Sequence, residues 1–253
     1  MMIERQRDDR PFVSIDPKKF MSWGSSTRSI FALAVCLLVP VFLIVLAVPR
    51  LVEGIGLERA RIAYEAAIDE RPLPASVYQD AADAMSDVMA DDGDALIERA
   101  ELTELASNGR PAELHKARDL VIDGLLRSPV NPRGWTLLCQ IDIYVSPTDA
   151  SRCMDTAFFI APFDWFLAPR RAVLAAYLWP QLDADVRAAA ARRVRLMWEA
   201  DEWPDHRLKR SLYDVYRAPN GPALLTAGFE GDKDEMRALN RWLLRRQMYG
   251  PQE

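Results

Sequence analysis

Few residues in this chain have types and spacings that could carry chemistry. His115 and His206 are its two histidines, and neither has a second His or a Cys at metal-ligand spacing. A zinc hydrolase or a thiol-imidazole pair therefore has no support. The densest ionisable cluster is Asp201, Glu202, Asp205 and His206. Asp205 precedes an apolar helical pattern, and an N-cap explains it better than a metal. Asp91-Asp92-Gly93-Asp94 opens like a calcium loop, but the twelve-residue pattern ending in Glu does not follow, so a helix end, a turn and an N-cap are expected there. There is no Gly-rich phosphate loop and no Gly-x-Ser-x-Gly elbow. The chain reads as a non-enzyme with no cofactor and no metal. A carbohydrate-active domain using Asp201, Glu202 and Asp205 is the catalytic alternative.

Of the three cysteines, Cys36 lies in an apolar run. Cys139 and Cys153 stand symmetrically about Ser146-Pro147, which places them at one height on antiparallel helices. A Cys139–Cys153 disulfide and two free buried thiols are both open readings. Bridged Cα atoms must come within about 7 Å, whereas helix axes stand about 8–10 Å apart.

These residues have to be positioned relative to a membrane. Ile30 to Val48 is a run of nineteen residues without charge. At about 1.5 Å per residue it matches the roughly 30 Å hydrocarbon core. Ile30, Phe31, Leu33, Val35, Leu37, Leu38, Phe42, Leu43, Ile44 and Leu46 supply its lipid-facing bulk, and Pro40 predicts a kink. The twenty-nine preceding residues are too long for a usual signal n-region, and Pro49 would hinder cleavage after Ala47, so an uncleaved anchor is the reading. Six basic residues precede the run, Arg5, Arg7, Arg10, Lys18, Lys19 and Arg28, against Arg50, Arg59 and Arg61 soon after it. That asymmetry predicts a cytoplasmic N-terminus. Three segments follow: a cytoplasmic tail over 1–28, a transmembrane helix over 29–49 and an extracytoplasmic domain over 50–253.

The formal charge of −5 divides into +2 for the first twenty-nine residues and −7 for the rest. No nucleic-acid partner is expected of so acidic a domain. Arg170, Arg171, Arg187, Arg192, Arg193 and Arg195 form a local basic run, expected to be solvated helix faces paired with nearby acids.

Beyond the run the hydrophobic period is helical almost throughout. It predicts helices over 53–68, 74–90, 94–107, 111–127, 132–144, 148–160, 165–178, 184–200, 205–217 and 232–248. Short Pro- and Gly-bearing breaks separate them, as in packed helix hairpins, and no strand-like alternation appears. The expected class is all-α: one transmembrane helix and an α-solenoid of hairpins.

A repeat runs through these helices. Ala117, Val121, Gly124, Pro129 and Asn131, then Trp135 and Leu138, are followed about 33 residues later by Ala150, Met154, Ala157, Pro162 and Asp164. Over roughly 75 residues from Ala112 this resembles the tetratricopeptide repeat, with Cys139 at its small-residue position and Asp142 where it usually has tyrosine. Gly124 and Ala157 would then let helices approach closely. Crowded aromatics leave Phe163, Trp165 and Phe166 as a candidate interaction surface beside Arg170 and Arg171.

One span followed by degenerate repeats resembles accessory proteins of bacterial envelope polysaccharide biosynthesis. The resemblance implies a single-pass inner-membrane protein with a periplasmic domain, acting as scaffold or adaptor in polysaccharide synthesis or export. Its partners would be the membrane and proteins of an envelope complex, with no small-molecule ligand. A periplasmic assembly factor for cytochrome or division machinery is the other non-catalytic reading.

Overall fold

The computed structural model describes residues 38, 58, 60–66, 73–86, 92–200 and 207–249. The chain divides between Val52 and Glu53, and the account below concerns the unit from Glu53 onward. Among the described residues no helix is long and apolar enough to cross a membrane. The run Ile30–Val48 lies outside them except for Leu38, which is helical.

The described residues contain helices and no strand. In chain order they are α1 (60–66 described), α2 (Ala75–Ala84), α3 (Gly93–Ser107), α4 (Pro111–Arg127), α5 (Pro132–Val145), α6 (Pro147–Ile160), α7 (Ala168–Leu178), α8 (Ala184–Glu199), α9 (Arg207–Arg217), α10 (Gly221–Gly228) and α11 (Lys233–Tyr249). A 3-10 turn, Trp179–Gln181, continues α7. Proline opens α4, α5, α6, α7 and α10 within their first two positions, where its missing N–H costs nothing and its fixed φ suits a helix.

Local signals set the starts and stops. The Asp92 carboxylate accepts from the backbone N–H groups of Asp94 at 2.9 Å and Ala95 at 3.4 Å, so the acidic tetrad is the expected N-cap. Asn131 caps α5 through Gly134 N–H at 2.8 Å. α3 ends at Asn108 and Gly109, both with positive φ. α7 starts at Ala168, three residues later than its apolar period predicts, because the Asp164 side chain accepts from Phe166 and Leu167 N–H and holds 165–167 in turns.

Helix α10 is absent from the sequence reading, which takes Pro219-Asn220-Gly221-Pro222 only as a break. Gly221 serves a different purpose. A Cβ there would lie 1.8 Å from the Val215 carbonyl oxygen, so glycine lets α10 start against the end of α9, and Pro222 sits in its first turn.

Packing follows the chain. α3 packs with α2, α4 and α5, α5 with α6 and α7, and α7 with α8 and α9. α3 is buried on opposite sides: Ala95, Leu102 and Ala106 join Ala60, Ala63 and Tyr78 in one core, while Ile97 and Ala100 belong to a second that runs on to Leu243. Apolar residues around its whole circumference suit such a helix.

Ile97 is the wedge of the second core. A Cβ on Gly124 of α4 would stand 2.7 Å from Ile97 Cγ1 and 2.8 Å from Gly93 O, and one on Gly134 of α5 would stand 2.7 Å from Ile97 Cδ1. Three helices therefore meet where two side chains are missing, and the close approach expected at Gly124 is present. Gly124→Val should lower unfolding free energy by about 1–3 kcal/mol through overpacking against backbone as well as side chain. Denaturant unfolding followed by helical circular dichroism checks this, and an unchanged midpoint would contradict it.

Candidate functional site

Among the described residues of the helical unit, several places gather polar or exposed apolar side chains. The first is a charge network shared by α3, α5 and α7. Glu101 of α3, nine-tenths withdrawn from solvent, accepts from Arg133 of α5, with Nε at 2.8 Å, and from Arg170 of α7 through Nη1. Arg133 also pairs with Glu98 at 3.6 Å and lies 4.0 Å from the centre of the Tyr64 ring on α1. Arg170 Nε donates to the Gln140 carbonyl, and the Gln140 amide donates to Glu104 at 3.0 Å. The chain of contacts reads Glu98, Arg133, Glu101, Arg170, Gln140, Glu104.

Its electrostatics are uneven. Burial pushes the Glu101 carboxyl up, but Arg170 and Arg133 outweigh it and hold the group below its usual range. For Glu104 and Glu98 the same push from burial prevails and raises both carboxyls above their usual value, and the Glu104 Oε2 atom is buried with no hydrogen-bond partner. Burial also pushes the Tyr64 hydroxyl up to about 12. A network whose arginines are already engaged by Glu101 is built to hold helices in register.

The second place is the expected interaction surface, which the structure separates. Phe163 and Phe166 are 73% and 82% exposed. Trp165 is half-buried, with the Arg193 guanidinium 5.4 Å from its ring and 5.7 Å from that of Phe163. Arg170 is engaged in the charge network. Arg171 is buried, donating to Thr136 Oγ1 at 3.0 Å, Ala161 O at 2.6 Å and Pro132 O at 3.3 Å. Its acceptors include the carbonyl capping the C-terminus of α6, where a cation is favoured. Neither arginine is free for a partner. Within the basic run only Arg187, Arg192 and Arg195 meet the solvated expectation, Arg195 pairing with Glu199 at 2.7 Å and Asp232 at 3.1 Å. Arg193 is buried, and burial lowers its pKa and that of Arg171. Pairing with acceptors 10 to 39 residues away, as Arg171 does, leaves no local sequence signal.

Cys139 and Cys153 are both buried free thiols beside each other. Cys153 Sγ–H points to Asp142 Oδ2 at 3.6 Å, and the other oxygen of that buried carboxylate accepts from Arg118 Nε at 2.6 Å. Burial and the neighbouring thiol push Cys139 well up, so it is not a reactive thiolate. The cluster Asp201, Glu202, Asp205 and His206 lies outside the described residues, and among those described no group of His, Cys, Asp and Glu could hold a metal ion.

The third place was not foreseen. A cleft of 1170 Å³ opens between the 3-10 turn after α7, helix α10 and the start of α11. Trp179, Phe229 and Met236 give it an apolar floor, and Glu230, Asp232, Lys233 and Arg237 rim it with both signs of charge. α8 braces one wall: Arg195 donates to Asp232, and Trp198 Nε1 donates to Glu235 at 2.6 Å while its ring meets Phe229 edge-on at 6.3 Å. Gly231, at φ 86°, turns the chain from α10 into α11. With α10 missed, the cleft had no visible wall in the sequence.

Comparison with protein-family models, curated proteins and solved structures found no match.

Glu101→Ala should cost about 3 kcal/mol, because it leaves two arginines without their shared carboxylate. Equilibrium unfolding at neutral pH measures that loss. The pH dependence has two opposite parts. Glu101, held low in the folded state, gives stability present above the unfolded carboxylate pKa and lost as pH falls through its depressed value. Glu104, held high, gives stability present below the unfolded value and lost as pH rises through its raised one. Glu104→Gln should therefore gain on the wild type as pH rises through and above the ordinary carboxylate range, and equal curves would refute the assignment.

Proposed function

We propose that this chain is a membrane-anchored, non-catalytic scaffold whose helical hairpins hold a segment of a partner protein in the cleft of Trp179, Phe229 and Met236. In this reading Ile30–Val48 spans the inner membrane once, the N-terminal tail is cytoplasmic, and the helical unit is a tetratricopeptide-like solenoid in the periplasm. The partner is a protein of envelope polysaccharide synthesis or export, as the resemblance of the sequence to accessory proteins of that process implies.

The cleft carries the proposal. Small-molecule sites usually enclose about 300–1,000 Å³ around a few convergent polar groups. This one is larger and open, with charges of both signs at its rim and no convergent acid-base set in its floor. An apolar floor with a polar rim is the anatomy of a protein-binding surface. The ionisable groups elsewhere support the same reading: Glu101, Arg133, Arg170, Arg171 and Asp142 are all spent on fixing one helix to another.

Ala223 stands exposed on the lip of the cleft. Ala223→Arg should leave unfolding within about 0.5 kcal/mol of the wild type, as for surface substitutions generally. After gentle crosslinking in membranes, the wild-type full chain should recover glycosyltransferase, polymerase or exporter subunits, and the variant should lose them. Unchanged recovery by the variant would remove the cleft from the proposal. A wild-type preparation containing only this chain would sink the scaffold itself.

A further inference from the structure

Exposed charges on the earlier helices mix both signs: Lys116, Asp119, Asp123 and Arg127 share one face of α4, and Arg152 pairs with Asp149 on α6. Helix α11 departs from this. From Met236 to Tyr249 it holds four arginines and no acid. Lys233, Arg237, Arg241 and Arg245 stand four residues apart and are all exposed. With 3.6 residues per turn, these four and the exposed Leu244 and Met248 fall within about 120° of the helix circumference. Arg237 pairs with exposed Asp234 in the first turn, and Arg246 turns inward over the rings of Tyr213 and Trp242, at 5.7 and 5.5 Å. Lys233, Arg241 and Arg245 have no carboxylate partner among the described residues. Like charges at this spacing repel and weaken the helix that carries them, a cost that an acidic partner would offset.

The cationic ridge begins at the cleft. Lys233 and Arg237 line the rim above the floor of Trp179, Phe229 and Met236. From Lys233 the ridge runs about 18 Å to Arg245, and its far end carries Leu244 and Met248, 55% and 66% exposed. Apolar ground at both ends with cations between is complementary to an amphipathic helical segment of about four turns, apolar at its ends, with Asp or Glu at four-residue spacing between. Nucleic acid and acidic glycans bring negative charge but no apolar side chain to fill the floor. A flat anionic bilayer cannot enter the cleft, and it would repel a unit whose residues beyond the first twenty-nine carry net charge −7.

We infer that the cleft and the α11 ridge form one docking surface for an acidic amphipathic segment of a partner protein, whose apolar side chain enters among Trp179, Phe229 and Met236 and whose carboxylates meet Lys233, Arg237, Arg241 and Arg245. This deepens the proposed function and rests on its reading of the cleft. Exposed ion pairs are individually weak and are screened by salt. The ridge therefore selects the partner and sets its direction along α11, while the cleft supplies the salt-resistant part of the hold.

The test selects displayed random peptides of about four helical turns on the full chain in detergent, then measures the affinity of those enriched. Enriched peptides should carry Asp or Glu between apolar residues. They should bind about tenfold more weakly to the double variant Arg241→Glu, Arg245→Glu, less weakly to Arg241→Gln, Arg245→Gln, and more weakly to the wild type in high salt. Ala223→Arg should weaken them too, and all variants should keep the wild-type unfolding midpoint. Peptides without excess acid, lost on Ala223→Arg but indifferent to charge reversal, overturn the acidic segment and leave the cleft standing. Acidic peptides lost on charge reversal but indifferent to Ala223→Arg remove the cleft from the surface and with it the proposed function's site. If no peptide is enriched and native mass spectrometry shows phosphatidylglycerol retained by the wild type but not by the reversed variant, the inference is overturned in favour of lipid headgroups.

Discussion

Helix α3 cannot satisfy its surface against any single neighbour, and the fold is organised around that constraint. Its apolar residues face α2 on one side and α4 and α5 on the other, so it belongs to two cores at once. Ile97 reaches the second core only because Gly124 and Gly134 have no side chains to exclude it. Later helices also pack on more than one neighbour: α5 on α3, α4, α6 and α7, and α7 on α5, α6, α8, α9 and α10.

Apolar packing fixes distance better than register, and here register is written in charge. Glu101 is reached from α5 and α7 together, and Arg171 ties α7 to the start of α5 and the end of α6. Buried ion pairs add little net stability against a well-packed apolar alternative, but breaking one is costly, so they penalise misaligned neighbours. Glu104 shows the other side of this economy. One oxygen is held by Gln140 while the other is buried without a partner, and the carboxyl responds by binding its proton more tightly. Register on this face is therefore firm at Glu101 and conditional on protonation at Glu104.

Much of the helical order was legible in the sequence because it is encoded locally. Prolines at first turns, Asp92 and Asn131 as caps, and Gly124 at a helix crossing all act within a few residues or leave a size signature. What could not be read is encoded by partners far apart. Arg133 and Arg170 find Glu101 across 32 and 69 residues, and nothing near Arg171 or Arg193 says that either turns inward. The cleft was hidden for a subtler reason. Gly221-Pro222 has the composition of a break, and only the 1.8 Å at which an added Cβ would meet the Val215 carbonyl oxygen shows that the glycine serves contact between helices α9 and α10. Exposure of one or two aromatics between Phe163 and Phe166 was legible, because one helix face cannot bury so many in succession, but which of them stand out was not.

The proposed function requires that this helical unit work outside the cytoplasm on a single N-terminal anchor. The proposed role of the cleft depends on it. The most direct test is to fuse alkaline phosphatase, active only after export, behind Glu253 of the full chain and to follow the fusion through carbonate extraction of the membranes. An active enzyme that stays in the membrane pellet is the expected result. An inactive fusion released into the carbonate supernatant would contradict it.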